Sequence, residues 1–598
     1  MNRNRRVNNF PKHIITPEGK VSDKQQMANK LNDYFTNIGQ NLANGIPNSN
    51  KTSNDYLKTR ILTSFSFNLT NPTEVLKIVN GCKAKTSKGY DGLSMKLFKS
   101  IISTIINPIT LLINQSLTTG IFPNKLKIAK IMPLLKKPNI YQLNNFRSIS
   151  LFPCISKIIE KCVFNQLYSY FENNKLFYTS QYGFRKSHST ESACLELVNK
   201  LTEQLENNET PFCIFIDLSK AFDTLDHNIL LNKLKYYGLD DISLSWFKSY
   251  LTERKQYVEI EGYRSEMQTI NTGVPQGSTL GPLLFIIYMN DLNTVSDIFN
   301  IILFADDTSL NSTLSIFTNQ RINDLSENIN LELDKINEWM RSNKLSLNIS
   351  KTKYMVFRYS QRALNSLPKL KLKIDNTDIE KVQSFDFLGI RITETLTWKD
   401  HISNIGTKIS KTIGVMSRIK HHVSSSILLK IYNSLILSRL HYGILCWGYD
   451  CHNIFKLQKK AIRTICKTKY NSHTDPLFKQ LKLLKIEDIF KVQCLKFYFK
   501  YENKKVPIYF LESFRFHRTL HSYETRHREV FQRNPLNRQT SKKNLKNHLP
   551  KLLNDVPTYL ISKIYTHSLD NFKYRLKQFY IDKYSLECQK VRCYVCSR

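Results

Sequence analysis

Acidic residues are scarce in this chain: its 598 residues hold 49 Asp+Glu against 87 Lys+Arg, a formal net charge of +38. A field of that size favours a polyanionic partner, nucleic acid before others, although ribosomal, chromatin and membrane-surface proteins share such a balance. Long apolar runs are missing too, and none approaches the ~18 uninterrupted residues that a membrane helix needs. The opening MNRNRRVNNF has no apolar stretch and is no secretory signal. These two absences lead us to expect an intracellular protein, and they do not choose between cytoplasm and nucleus. The twelve cysteines form no regular framework, which argues for reduced thiols and against a disulfide scaffold. No repeat of fixed period is present, so a repeat array is excluded.

What is present is enough for a core: 41% of the residues are hydrophobic and 11% aromatic. The charge is uneven. From His401 to Arg598 there are 38 Lys+Arg and 12 Asp+Glu, so this third carries +26 of the +38. Any single Lys or Arg there reads as part of a solvated helix face, whereas the whole excess fits contact with backbone phosphates.

Residues 1 to about 70 are rich in Asn, Lys and Ser; they predict one amphipathic helix near Gln25–Ile38 and a linker over Gly45–Asp55. From about Asn71 to Thr395 helical and strand patterns alternate. Phe212–Leu218 and Ile301–Leu310 are short strand-like runs, while Leu325, Ile329, Leu333, Ile336 and Met340 have the spacing of one helix face. The mixture predicts an α+β domain in which short strands carry acids to a surface packed on helices. From about Trp398 onward the pattern is mostly helical and basic.

Two segments break the ordinary rule for cores. FCIFIDLSKAFD places Asp217 after an apolar run, and ILFADDTSL places Asp306 and Asp307 side by side in a similar frame. Carboxylates are seldom buried unless paired or bound to metal. Each segment alone is equally compatible with acids satisfied at strand ends or turns. Together they suit phosphoryl transfer, which can use two divalent ions roughly 4 Å apart. Mg²⁺ is hard and takes one or two protein carboxylates per ion, the rest of its shell coming from phosphates and water.

VPQGSTLGP (Val274–Pro282), FADD (Phe304–Asp307) and FIDLSKAFD (Phe215–Asp223) resemble the central palm motifs of reverse transcriptases. Their order and spacing resemble those of non-LTR retrotransposons, particularly the jockey-like LINE elements. Five more segments match in sequence: SKGYDGL (Ser87–Leu93), NNFRSISL (Asn144–Leu151), QYGFRKSHST (Gln181–Thr190), KLSLNISKTKYMVF (Lys344–Phe357) and FLGIRI (Phe387–Ile392). The similarity runs from about Ile14 to Arg463.

The resemblance implies a right-hand polymerase fold of fingers, palm and thumb. It places an N-terminal linker or extension at 1–70, fingers and palm at 71–395, a thumb-like helical region at 396–500 and a basic C-terminal region at 501–598. It implies that Asp217, Asp306 and Asp307 are catalytic and hold two Mg²⁺ ions (or Mn²⁺), with the Leu218 carbonyl completing one shell. Phe222 would be the gate that rejects a ribose 2′-OH, a role its fit to the local core pattern does not exclude. Arg147 would clamp the incoming triphosphate and Gln276 would line the nucleotide pocket. Lys351 or Lys353 would protonate the leaving pyrophosphate, and Phe387, Leu388 and Gly389 would form the primer grip. The implied partners are an RNA template, a DNA primer or target and deoxynucleoside triphosphates, with no membrane. The nucleus is the implied place of action, and other element-encoded proteins are possible partners.

Asp223 and Asp226 follow Asp217 closely, and capping and turn roles are expected of them, Asp226 standing where an N-cap should precede the next helix. One departure from the family pattern is Ser148, which stands where a Pro usually follows the Arg. Fewer than about 70 residues precede the first motif, so no endonuclease domain is expected in this chain, and no RNase H motif is seen. Cys588, Cys593 and Cys596 lack a fourth ligand at short spacing and read as free thiols more readily than as a zinc site. The alternatives are a group-II-intron-type reverse transcriptase with maturase activity and a catalytically inactive RNA-binding remnant.

Overall fold

The computed structural model describes residues 10–57, 62–136, 139–317, 322–359, 370–514, 531 and 544–585. The cysteines near the C-terminus lie outside these. The chain opens with a small hairpin, β1 (Ile14–Thr16) and β2 (Gly19–Val21), followed by α1 (Lys24–Asn44), whose N-terminus Asp23 caps by accepting from the Gln26 N–H. Next come α2 (Pro72–Gly81) and α3 (Met95–Thr119). The Ser94 side chain caps the start of α3, and Gly120 at φ 67° ends it. By length and apolar composition α3 meets the test for a membrane crossing, although the sequence has no uninterrupted apolar run of that length; its Phe98, Ile102 and Ile113 are buried in the core.

Two sheets position the site. The first holds β3 (Ile128–Leu135) and β4 (Phe146–Leu151) as an antiparallel pair. After α4 (Cys154–Asn173) and α5 (Thr190–Glu206) the chain enters β5 (Pro211–Ile216), the centre of the second sheet. Helices α6 (His227–Tyr236) and α7 (Asp241–Leu251) lead back to the first sheet, where β6 (Arg254–Ile260), β7 (Tyr263–Arg264) and β8 (Gln268–Ile270) complete it. Helix α8 (Gly281–Tyr288) then precedes the hairpin of β9 (Asn300–Phe304) and β10 (Asp307–Thr313), and α9 (Ile322–Ser342) precedes β11 (Lys353–Val356). The short strands β12 (Lys373–Ile374), β13 (Thr377–Asp378) and β14 (Glu380–Lys381) follow, giving the second sheet the order β14-β11-β5-β10-β9.

The central strand of the second sheet, β5, is covered on both faces, which is why it is apolar along its whole length. Phe212, Ile214 and Ile216 of β5 enter one core with α8 and α9, while Cys213 and Phe215 enter another. That second core also takes α5, the hairpin β15 (Ser384–Phe387) and β16 (Ile390–Thr393), and the helices beyond. These helices begin with α10 (Lys399–Ile419), α11 (Ser425–Ile431), α12 (Ser438–His441), α13 (Ile444–Trp447) and α14 (His452–Cys466). They continue with α15 (Asp475–Gln480), α16 (Ile486–Glu502), α17 (Ile508–Ser513), α18 (Leu545–Asp555), α19 (Thr558–Ile561) and α20 (Leu569–Asp582).

Two expected boundaries do not mark breaks in packing. The segment before residue 70 is folded onto the first sheet: Met27, Ala28 and Leu31 share a core with Ile131, Phe146 and Val258. Asn32 Nδ2 also donates to the Glu266 carbonyl at 2.8 Å. The boundary set near residue 500 runs through the second core, where Tyr498 and Phe499 of α16 are buried together with Phe510, Leu549 and Phe572.

Candidate active site

β5 delivers Asp217 to the end of the second sheet, where the strand stops at Ile216. Leu218 lies beyond it, buried, in an isolated antiparallel bridge with Leu347. β10 pairs with β5 starting at Thr308↔Ile216, so Asp307 stands one step further along, across from Asp217. The turn between β9 and β10 carries Asp306 and holds Ala305 in a left-handed conformation at φ 57°. Gln181 braces that turn by accepting the Ala305 N–H at 3.2 Å. Gly183 permits the approach, since a Cβ there would lie 2.4 Å from the Ala305 nitrogen. The QYGF segment thus supports the paired acids, a role its sequence alone does not reveal.

The three acids share an electrostatic environment. Burial pushes the Asp306 carboxyl upward and the Asp217 charge adds to the push, while Arg147 and Lys136 counter it. Burial pushes Asp307 up to about 6, helped by the charges of Asp306 and Asp217, although its side chain still reaches solvent. Asp217 itself is paired with Lys351, whose Nζ lies 2.8 Å from its carboxylate. Lys353, the other candidate, is instead tied to Glu380 at 2.7 Å and to the Ser350 carbonyl.

Cations converge from other elements. Burial lowers the Lys136 pKa, and the charges of Arg147, Lys351 and Lys220 lower it further. Arg147 lies on β4, exposed. Lys136 and Lys220 also belong to this group; Lys220 lies within FIDLSKAFD and Lys136 ahead of NNFRSISL, but nothing in the spacing singles either out.

Phe222 is half-buried, stacked on Phe285 at 4.4 Å between centroids and edge-on to Phe184 at 6.1 Å. It therefore packs against the core and stays partly exposed as well. Asp226 caps α6 by accepting from the Asn228 and Ile229 N–H groups and pairs with Lys344 at 2.6 Å. Asp223 closes the expected turn, its N–H donating to the Lys220 carbonyl at 2.8 Å, and its carboxylate has a further partner, accepting from Gln276 Nε2 at 3.2 and 3.4 Å. Gln276 sits on a loop clamped between two elements, with its carbonyl accepting the Ser150 N–H at 2.8 Å and the Val274 N–H donating to the Phe222 carbonyl at 2.8 Å.

The primer-grip candidates divide. Leu388 at φ 47° and Gly389 at φ 81° form the turn between β15 and β16, and Tyr442 donates its hydroxyl proton to the Leu388 carbonyl. Phe387 is 3% exposed with its ring 5.6 Å from that of Phe215, so its side chain faces the core. Of the three candidates, the Leu388–Gly389 turn is the part not buried in this core.

In charge and donor type the three acids fit a hard divalent cation: all are carboxylates, and two are pushed up by burial and mutual repulsion that a cation would relieve. Among the described residues, no group of three or more His, Cys, Asp or Glu is arranged to hold a metal ion as it stands. Asp217 would have to exchange Lys351 for the ion.

A mixed palm sheet with paired acids on a hairpin facing a third on the adjacent strand is the framework of a nucleic-acid polymerase. Residues 135–392 match the family described as reverse transcriptase (RNA-dependent DNA polymerase), so this chain carries a reverse transcriptase domain with the fingers, palm and thumb fold that the family implies. That domain uses divalent metal ions in general. The chain is 27% identical over 450 residues to the RNA-directed DNA polymerase from mobile element jockey of Drosophila melanogaster, covering 73% of this chain and 48% of that protein. It is 26% identical to the probable RNA-directed DNA polymerase from transposon X-element of the same organism, over 70% of this chain and 46% of that one. For the probable RNA-directed DNA polymerase from transposon BS the identity is 25%, over 73% and 49%. The domain thus resembles those of non-LTR retrotransposons of the jockey type, and the chain spans about half the length of the curated relatives it matches.

Proposed function

We propose that this chain is an RNA-directed DNA polymerase of a non-LTR retrotransposon, extending a DNA 3′-OH on an RNA template with deoxynucleoside triphosphates. The observation that carries this reading is the pairing of β10 with β5, which sets Asp306 and Asp307 against Asp217 under a ring of Arg147, Lys136, Lys220 and Lys351. Two Mg²⁺ ions, held by Asp217, Asp306, Asp307 and the Leu218 carbonyl, would neutralise charge on the transferring phosphate. The planar guanidinium of Arg147 clamps the triphosphate, with Lys136 and Lys220 adding positive charge. Phe222, backed by Phe285, blocks a 2′-OH. Lys351, already within hydrogen-bond distance of Asp217, gives its proton to the leaving pyrophosphate.

Fingers and palm extend over 71–395, with α1 docked on the fingers, and the thumb lies in the helices from 396 onward. The helical region beyond is basic and holds nucleic-acid phosphates. The place of action is the nucleus, where a nicked target supplies the primer end. Primer extension on poly(rA)/oligo(dT) with Mg²⁺ tests the function. Incorporation of thymidylate by the wild-type chain and its loss in Asp306→Asn is the expected result, and no incorporation by the wild type rejects the proposal.

A further inference from the structure

Asp223 is not among the groups that hold metal or touch phosphate, yet it is fixed from four sides. Its carbonyl accepts from the Thr272 hydroxyl at 3.2 Å. Gly273 passes so close that a Cβ would lie 2.7 Å from the same carbonyl oxygen. From the N-terminal segment, Gly39 of α1 presses on it, and a Cβ there would lie 2.0 Å from that oxygen. Lys220, in the same turn, stands 5.6 Å above the ring of Tyr34, which also belongs to α1. The carboxylate, Gln276, Ser148 of β4 and Phe35 and Thr36 of α1 line one cavity of about 30 Å³, room for about one water.

We propose that Asp223 is a positioning residue that fixes which end of the Gln276 side-chain amide meets the incoming nucleotide, with α1 as its brace. The inference rests on the polymerase reading above. Burial raises Asp223 to about 6, with Lys220 and the Gln276 bond pulling the other way, so at pH 7.5 it is ionised. An ionised carboxylate can only accept. Gln276 must therefore turn Nε2 toward it, because the opposite orientation would set the amide oxygen against a negative charge. The amide oxygen is left as the free end, an acceptor for a hydroxyl or amino donor on the nucleotide. Without Asp223 that constraint is lost, and the amide can rotate to offer a donor instead.

The test is a double-mutant cycle of Asp223→Leu and Gln276→Ala in steady-state extension, with melting curves for each variant. Asp223→Leu, nearly isosteric but without an acceptor, should raise the deoxynucleotide KM about tenfold and leave kcat within about twofold, the scale of one hydrogen bond to a charged group. Asp223→Asn keeps an acceptor oxygen but adds a donor that admits the flipped amide, so its KM should lie between those of wild type and Asp223→Leu. In a Gln276→Ala background the Asp223→Leu effect on KM should vanish. Should the leucine variant not fold, Asp223→Ala and Asp223→Asn carry the same comparison. An unchanged KM, an equal effect in the Gln276→Ala background, or a loss of kcat that tracks a lower melting temperature overturns the proposal. A wild-type chain with no extension at all overturns the polymerase reading instead, which separates the two failures.

Discussion

Lys351 Nζ lies 2.8 Å from Asp217 Oδ2, joining the loop before β11 to the acid at the end of β5. Both side chains are part-exposed, so the pair is screened and its own contribution is small. Its consequence is competition: whatever cation serves Asp217 must displace the ammonium. Lys351→Met should lower the Mg²⁺ concentration for half-maximal extension about two- to fivefold, since that is the range of an exposed pair. The same variant should reduce kcat at saturating Mg²⁺, because the proton donor is gone. A Mg²⁺ titration of both proteins checks this, and coincident curves would sink the assignment.

Asp306→Asn keeps shape and removes a ligand charge, so single-turnover extension should fall at least ~10³-fold while primer–template binding persists. Near-normal extension would remove Asp306 from the site.

Asp307 should show itself in stability. Its folded pKa of about 6 lies above the usual 3.8, so the folded chain binds the proton more tightly than the unfolded one. Its ionisation then disfavours the fold fully above about pH 6, less on descending through that window, and not at all below pH 3.8. Without divalent ions, Asp307→Asn should therefore raise the melting temperature at pH 7.5, with the gain shrinking as pH falls toward 4. Added Mg²⁺ should raise the wild-type melting temperature more than that of the variant. Equal melting temperatures at pH 7.5 would contradict the proposed repulsion.

Phe222→Val opens the space beside the sugar and removes the stack on Phe285. Ribonucleotide incorporation should rise relative to deoxynucleotide, and stability should drop by about 1–2 kcal/mol for the half-buried ring. A lower melting temperature with an unchanged ratio of the two kcat/KM values would leave Phe222 as a packing residue alone.

For the basic C-terminal part, deletion after Lys500 is the wrong instrument, because it would strip Phe510, Leu549 and Phe572 from the core shared with α16. Replacing the exposed Lys500, Lys504, Lys505 and Lys551 together with Gln leaves that core intact. If all four meet phosphates, the slope of log K against log [salt] should flatten by about 3, at ~0.7–0.9 per contact. Extension at saturating nucleic acid should be unchanged. Anisotropy at several salt concentrations reads the slope, and an unaltered slope would place the phosphate contacts elsewhere.

Local patterns are enough to locate the strand ending in Phe215–Ile216, α9 and the cap at Asp226, since each is written within a few turns of chain; Ile301–Leu310 reads as strand, but the turn at Ala305 that folds it into a hairpin does not show in the pattern. Contacts across long separations are not written locally. Asn32 meets Glu266, and Gly39 meets Asp223, through packing that no periodicity records. The turn at Asp223 is legible locally and is present, whereas the bond of its carboxylate to Gln276, 53 positions away, is not legible. Phe387 fitted a motif, but its ring follows the alternation of β15 into the core beside Phe215. The core beyond residue 500 is hidden by charge: its buried Phe510, Phe514, Phe572 and Tyr580 stand among Lys and Arg that draw the eye to a solvated, phosphate-binding surface.

The alternation along β5 has a consequence for tolerance to insertion and deletion. Phe212, Ile214 and Ile216 belong to one core, and Cys213 and Phe215 to the other. Sliding this strand by one residue would exchange the two sets and rotate Asp217 to the opposite side of the sheet. A single-residue length change here would thus mismatch two interiors at once as well as misdirect the acid. The strand's frame is policed from both faces, and evolution can vary its side chains far more freely than its length.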